Sequence, residues 1–273
     1  MFGKIIGRFF LGPHLGIVDD STPDTCTLSE LVETFEQWSL FVTQAPFKNI
    51  QLFTMFETSD VHPDIIDAMK VFSKVIVPFA YLRDILQGHG VNAISLNYYT
   101  SDIIRSFPKI IPKLVDVKKR IFLYIGTNDV RKNLTTLVSA FSKFAYGTNH
   151  ILIAKTNTDK DLIKSPNVII ITERYSITQL VALYNMCDYV ISATRGEGVG
   201  CPMLEANYFG KPIISHKQGV FRDVAKMITV PWHIIPSTEI PVGSGFPKYL
   251  EKVFYGNWWD VSEESIVAAL EKL

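Results

Sequence analysis

The chain has 273 residues, enough for two domains of ordinary size, and 47% of them are hydrophobic, which excludes a disordered chain. Lysine plus arginine and aspartate plus glutamate balance at 27 each, so no basic excess points to nucleic acid or an anionic membrane surface. The three cysteines, Cys26, Cys187 and Cys201, form no C-x-x-C pair, so a reduced, cytoplasmic setting is the simplest reading and no metal site is expected.

No apolar run approaches the roughly 20 residues of a membrane helix. Residues 1–18 are apolar with Lys4 and Arg8, but Arg8, Gly12, Pro13 and His14 interrupt any signal-peptide core. Lys4–Leu11 therefore reads as a first strand, followed by a turn bearing Gly12, His14 and Gly16. Loops after strands of an open α/β sheet are where ligands bind, and an ordinary turn is the plain alternative. Asp19-Asp20 lacks further ligands at defined spacing and reads as a turn or cap.

Thr27–Phe41 repeats apolar residues at helical period, with Thr27 and Glu30 as a capping box. Ile50–Met55 is a strand expectation that runs into the polar cluster Glu57, Asp60 and His62. Ile65–Phe72 is a short helix, Lys74–Val77 a buried strand, Ala80–Gln87 a helix closed by Gly88, and Ala93–Leu96 another strand. Alternation of this kind implies a parallel sheet. Glu57 and Asp60 stand where such a sheet presents reactive groups; capping of the next helix is the alternative, and His62 reads as solvent-facing. Phe107–Arg120, with two prolines and five basic residues, reads as an interdomain linker. The expected division is 1–115 and 116–273.

The second half repeats the pattern. Arg120–Ile125 is a strand, and Leu134–Phe144 a helix with Leu134, Leu137, Val138 and Phe141 on one face. Gly126, Thr127, Arg131 and Lys132 fall at the junction, where cations could hold phosphate oxygens. Ile151–Ala154 and Val168–Thr172 are strands, Ser176–Asn185 is a helix with Ser176 as N-cap, and Tyr189–Ser192 is a third strand. The stretch Arg195-Gly-Glu-Gly-Val-Gly-Cys-Pro-Met-Leu-Glu205 follows. Its glycines let the backbone approach a ligand, Pro202 suits a helix start, and a helix start attracts phosphate. Two carboxylates, Glu197 outside this helix and Glu205 one turn inside, suit a ligand with both hydroxyls and phosphates, as in a nucleotide sugar. Met203–Phe209 is the helix, Pro212–Ser215 the next strand, and Ser262–Leu273 a terminal amphipathic helix. Strand, loop and helix repeated this way make a doubly wound unit.

Gly126…Arg131-Lys132-Asn133…Phe141, then Gln179-Leu180…Leu183-Tyr184…Cys187-Asp188-Tyr189-Val190, then Glu197-Gly-x-Gly-x-Pro-x-x-Glu205-Ala206…Gly210-Lys-Pro resembles the donor half of retaining glycosyltransferases of family 4. The likeness covers residues 120–225, with Phe53–Ile104 a weaker match to the end of that family's acceptor domain. It implies an α/β chain of GT-B fold, two Rossmann-like parallel-sheet domains facing across a cleft, here with a reduced N-terminal domain. It also implies transfer of a hexose from a nucleoside diphosphate sugar to a sugar or glycan, without a cofactor or divalent metal and with retention of anomeric configuration.

Position by position, Glu197 would bond sugar hydroxyls, and Glu205 the ribose hydroxyls. The backbone around Gly198, Val199, Gly200 and Cys201 would face sugar and pyrophosphate. Lys132, with Arg131, would hold the pyrophosphate beside Gly126 and Thr127, and the base would lie near Thr172–Arg174. Glu197, Lys132 and Glu57 are then the candidates closest to the chemistry, and Gly12, His14 and Asp60 the acceptor-side candidates.

There are departures. The family usually has Gly-Arg where this chain has Gly126-Thr127, and Phe56-Glu57 stands near the place of an acceptor-domain histidine. The short first domain suggests a minimal enzyme such as some large DNA viruses encode, and the Arg-Lys-Asn element with Trp258-Trp259 suggests GDP-mannose as donor. A UDP-sugar donor, or a degenerate nucleotide-sugar binding protein, is the alternative. A homodimer is compatible with the sequence. A nicotinamide-dependent oxidoreductase fits poorly, because Gly12-x-x-x-Gly16 is not a G-x-G-x-x-G element.

Overall fold

The computed structural model describes residues 16–18, 51–98, 102–108, 119–243 and 252–273. The expected strand at 4–11, the helix at 27–41, Gly12, His14 and most of the 107–120 segment lie outside the described residues. The chain divides into two compact units. One takes Met1–Tyr98, Glu197–Val199 and Ile240–Trp258, and the other takes Tyr99–Gly196, Gly200–Glu239 and Trp259–Leu273.

The first unit holds a four-stranded sheet of order β1 (Gly16–Val18), β2 (Gln51–Phe53), β3 (Lys74–Val77), β4 (Ala93–Ser95). β2, β3 and β4 run parallel, and β1 lies antiparallel on β2. Helices α1 (Pro63–Met69) and α2 (Ala80–Gly88) bury Ile65, Ile66, Leu82 and Leu86 with Leu52, Val75 and Val77 of the strands. Removing such aliphatic side chains from water contributes roughly 1.5–3 kcal/mol each. α1 starts at Pro63, and His62 is its N-cap: Nδ1 accepts the Asp64 N–H at 3.2 Å. His62 is partly buried, its ring meeting Tyr255 edge-on with centroids 5.2 Å apart, and it is His62, not Glu57 or Asp60, that stands at the N-cap of α1.

The second unit holds a six-stranded, wholly parallel sheet of order β10 (Trp232–Ile234), β9 (Ile213–Ser215), β8 (Tyr189–Ile191), β5 (Ile121–Ile125), β6 (Ile151–Lys155), β7 (Val168–Ile171). Counted from β5, this is the 3-2-1-4-5-6 order of the doubly wound fold. The connecting helices are α4 (Leu134–Phe144), α5 (Ile177–Met186), α6 (Cys201–Tyr208) and α7 (Phe221–Met227); α3 (Asp102–Arg105) precedes the sheet. β11 (Thr238–Pro241) and β12 (Asn257–Asp260) follow it, and α8 (Glu263–Leu270) ends the chain.

Buried Phe122 of β5 anchors the core: its ring stacks on Tyr189 with centroids 5.3 Å apart and meets Phe141 of α4 edge-on at 5.1 Å. α8 packs on α4, with Ile266, Ala269 and Leu270 in the same cluster as Leu137 and Phe141. Ser176 caps α5 through a reciprocal bond pair with Gln179. The expected strands and helices from Ile121 to Ser215 all form, within two residues of their expected ends, because each carries its own period and cap. Among the described residues, no helix is long and apolar enough to cross a membrane.

Candidate functional site

In a doubly wound sheet the crevice lies outside the carboxyl ends of the strands where the strand order reverses. Here that point is between β5 and β8. The loops after these two strands carry most of the singled-out residues of the second unit.

After β5, a Cβ on Gly126 would stand 2.6 Å from the Tyr124 hydroxyl, so only glycine fits. That hydroxyl donates to the Thr127 carbonyl at 2.9 Å. Asp129 then closes the turn: its carboxylate accepts the Thr127 hydroxyl at 2.5 Å and the Lys132 backbone N–H at 2.9 Å. Lys132 thereby enters the first turn before α4 in a half-buried position.

Arg131 does something that charge and spacing alone do not reveal. Its guanidinium is buried and donates to the Gly196 carbonyl at 2.7 Å, an oxygen that also accepts the Thr194 hydroxyl at 2.9 Å. The Arg195 N–H donates back to the Arg131 carbonyl at 2.7 Å. The Arg195 side chain reaches the Val130 carbonyl at 2.5 Å and the Asp260 carboxylate at 2.6 Å, while the Trp259 N–H donates to the Arg195 carbonyl at 2.9 Å. One hydrogen-bonded block thus fixes the 129–133 turn, the 194–196 backbone and the start of the tail. The cue available beforehand was Arg195 itself, a second arginine in a glycine-rich stretch.

α6 begins at the edge of β8. Gly200 is left-handed, with φ of 75°, and a Cβ there would come within 2.6 Å of the Phe221 ring. Cys201 is the first helical residue, and Pro202 sits in the first turn. Glu205, one turn in and partly buried, accepts the Tyr184 hydroxyl on Oε2 at 2.5 Å. Burial raises the pKa of this carboxyl above the usual range, and the Tyr184 hydrogen bond opposes that shift. Burial, with the neighbouring Glu205 charge, pushes the Tyr184 hydroxyl far up. The apolar period of α5, with Ile177, Leu180, Val181 and Tyr184 in phase, puts Tyr184 on its inner face, and a buried tyrosine hydroxyl needs a polar partner, which is the sequence signal for this pair. Thr172 and Arg174, after β7, are exposed. Beside them, the Lys155 ammonium lies 5.6 Å from the centre of the Tyr175 ring.

The first unit collects the other candidates. Glu197, Gly198 and Val199 pack with it, eight residues or fewer from a glutamate of the second unit. A Cβ on Gly198 would come 2.8 Å from the Met55 sulfur, so this loop runs against the segment leading to Glu57. Glu57 is half-buried. Asp60 accepts the Val61 N–H at 2.8 Å, and the same oxygen stands 2.6 Å from His89 Nε2. Gly12 and His14 are not among the described residues. No three His, Cys, Asp or Glu among the described residues are grouped so as to hold a metal ion.

Residues 106–238 match the family model of the glycosyl transferases group 1. That span begins just after α3, runs through β10, and includes Gly126, Lys132, Glu197 and Glu205.

Solved structures, GT-B glycosyltransferases among them, share the fold. Staphylococcus aureus TarM, as a mutant in complex with fondaparinux, alpha-GlcNAc-glycerol and UDP, is 19% identical over 64% of this chain and 38% of that one, with a TM-score of 0.52. The alpha,alpha-trehalose 6-phosphate synthase of Burkholderia multivorans is 10% identical over 81% and 57%, with a TM-score of 0.52. The N-terminal domain of Candida albicans trehalose-6-phosphate phosphatase is 10% identical over 87% and 65%, with a TM-score of 0.51. The chain spans half or less of the length of the first such structures it matches, at 50%, 38% and 39%. A search of the curated proteins finds no match. The expected α/β fold with parallel sheets of the GT-B kind is thus met.

Proposed function

We propose that this chain is a glycosyltransferase of the group 1 type, moving a hexose from a nucleoside diphosphate sugar to a sugar or glycan hydroxyl. The observation that carries this reading is the α6 start at the β8 edge, with Glu205 one turn inside it, in a segment matching the family model. A helix start carries partial positive charge, and together with Lys132 from the adjacent β5 loop it suits a pyrophosphate. In this reading Glu205 accepts the ribose hydroxyls, the backbone of Gly198–Cys201 lines the sugar and pyrophosphate, Glu197 holds the sugar, and the base lies by Thr172–Arg174. Glu57 and Asp60 belong to the acceptor side.

The reaction is proposed to retain configuration, as in family 4. The bond from the anomeric carbon to the β-phosphate oxygen breaks, and its electron pair leaves on that oxygen. The acceptor oxygen bonds to the same carbon from the same face, and its proton passes to the departing phosphate. Lys132 and the α6 start stabilise the growing negative charge in place of a metal ion, so neither a protein nucleophile nor a cofactor is required.

GDP-mannose is the proposed donor, on the Arg131-Lys132-Asn133 element and the tryptophan-rich tail. A UDP-sugar is the second reading, supported by the UDP bound to TarM. Incubation with GDP-mannose or a UDP-sugar and a glycan acceptor should release free nucleoside diphosphate and give an α-linked product from an α-linked donor. Binding of donor without release of nucleoside diphosphate would mark a degenerate binding protein instead.

A further inference from the structure

We infer that Tyr184 is a positioning residue for the nucleotide: its hydroxyl grips one oxygen of Glu205 and so holds that carboxylate oriented for the ribose hydroxyls. The inference rests on the reading of Glu205 as the ribose-binding group.

The geometry is specific. Tyr184 lies on α5, 21 residues before Glu205, and its hydroxyl-to-carboxylate distance is 2.5 Å, the length of a charge-assisted bond. The tyrosine cannot swing away. Its ring is fully buried and stacks on Phe209 of the same turn region with centroids 5.3 Å apart and planes 14° apart. α5 itself is held at its end by the Cys187 thiol, which donates to the Tyr184 carbonyl at 3.3 Å. A glutamate on a helix otherwise has three rotatable bonds to freeze when ligand arrives. A fixed donor freezes them in advance and lowers the ordering cost of binding.

The same bond governs charge. Burial favours the protonated acid, in which one oxygen becomes an O–H donor and is a poorer acceptor for a ribose hydroxyl. Tyr184 favours the carboxylate. The other titratable groups here are Cys187 and Asp188 at the end of α5, Cys201 on Glu205's own helix, and Lys211 after α6, whose ammonium donates to the Asn185 carbonyl at 3.0 Å. Burial pushes the Cys187 thiol up to about 12, so neither it nor Tyr184 titrates near neutrality. A Cys201→Ser parent removes the thiol on the Glu205 helix itself from the comparison.

The test is calorimetric titration of GDP and UDP into the full chain at a series of pH values running from acid to neutral, since burial raises the Glu205 pKa. The tighter nucleotide should lose affinity as pH falls. In Tyr184→Phe, which keeps the ring and its stack, that loss should set in about one pH unit higher, the size expected for one hydrogen bond to a charge. Glu205→Gln should bind weakly and without this pH dependence, and adding Tyr184→Phe to it should cost nothing further. A Tyr184→Phe profile that coincides with the parent's, while Glu205→Gln has lost nucleotide affinity, overturns the positioning role and leaves a packing tyrosine. Glu205→Gln binding nucleotide as the parent does overturns the ribose reading beneath it.

Discussion

Arg131 and Gly196, 65 residues apart, are joined by a 2.7 Å bond from a buried guanidinium to a carbonyl oxygen. The bond fixes the backbone immediately ahead of Glu197 to the turn that carries Lys132. Arg131→Ala removes a buried charge-assisted bond, but the Gly196 oxygen keeps its Thr194 hydroxyl. The expected loss is therefore about 1.5–3 kcal/mol, not the larger cost of an orphaned acceptor. Urea unfolding at constant m-value measures it; an unchanged midpoint would show that the clasp carries no stability.

Lys132→Ala should act on the ligand. Loss of one charge-assisted phosphate contact predicts about tenfold or more weaker binding of a nucleoside diphosphate. The effect should shrink with added salt, since it is largely charge on charge. Titration of GDP and UDP at two ionic strengths checks this, and a salt-independent loss would point to a packing defect.

Gly200 and Gly198 separate backbone need from simple crowding. Gly200→Ala puts a Cβ on a residue with φ of 75° and 2.6 Å from the Phe221 ring, so strain and clash add. A loss of about 2 kcal/mol or more is expected. Gly198→Ala puts a Cβ 2.8 Å from Met55 Sδ, 2.9 Å from its Cγ and 3.2 Å from its Cβ, but the Gly198 backbone has no positive φ, so crowding acts there without backbone strain. Its effect on stability should be the smaller of the two, as thermal unfolding of both variants would show.

Glu205 should cost the ligand-free fold stability. Burial raises its folded pKa above the unfolded value. Its contribution is therefore fully present below the unfolded pKa and is lost as pH rises through the folded pKa. Glu205→Gln should then melt at a higher temperature than the parent near neutral pH, with the gap closing in acid. Such a gain alongside weaker nucleotide binding is the usual trade at a functional carboxylate. A lower melting temperature at neutral pH would contradict it.

Much of the second unit was legible beforehand because its signals are local. Leu134–Phe144 has the bounds its apolar period gives, Ser176 and Gln179 form a capping box, and Gly200 with Pro202 marks the α6 start. Those elements carry Lys132 and Glu205 to the carboxyl edge without any tertiary information. What escaped is non-local. An arginine beside Lys132 reads as a phosphate cation from charge alone, and only the fold brings the Gly196 carbonyl to it. Likewise Tyr184 reads as an apolar-face residue until Glu205 is packed against it, and β1 reverses direction although its neighbours are parallel. The grouping of Glu197–Val199 with the first unit, apart from Glu205, depends on packing against Met55 that no period encodes.

The central claim is that the β5 and β8 loops bind a nucleoside diphosphate sugar through Lys132 and Glu205. Calorimetric titration of the full chain with a panel of GDP- and UDP-sugars tests it most directly, alongside Lys132→Ala and Glu205→Ala. The account predicts saturable binding of at least one donor, weakened by either substitution. No binding across the panel, or affinity unchanged in both variants, would contradict it.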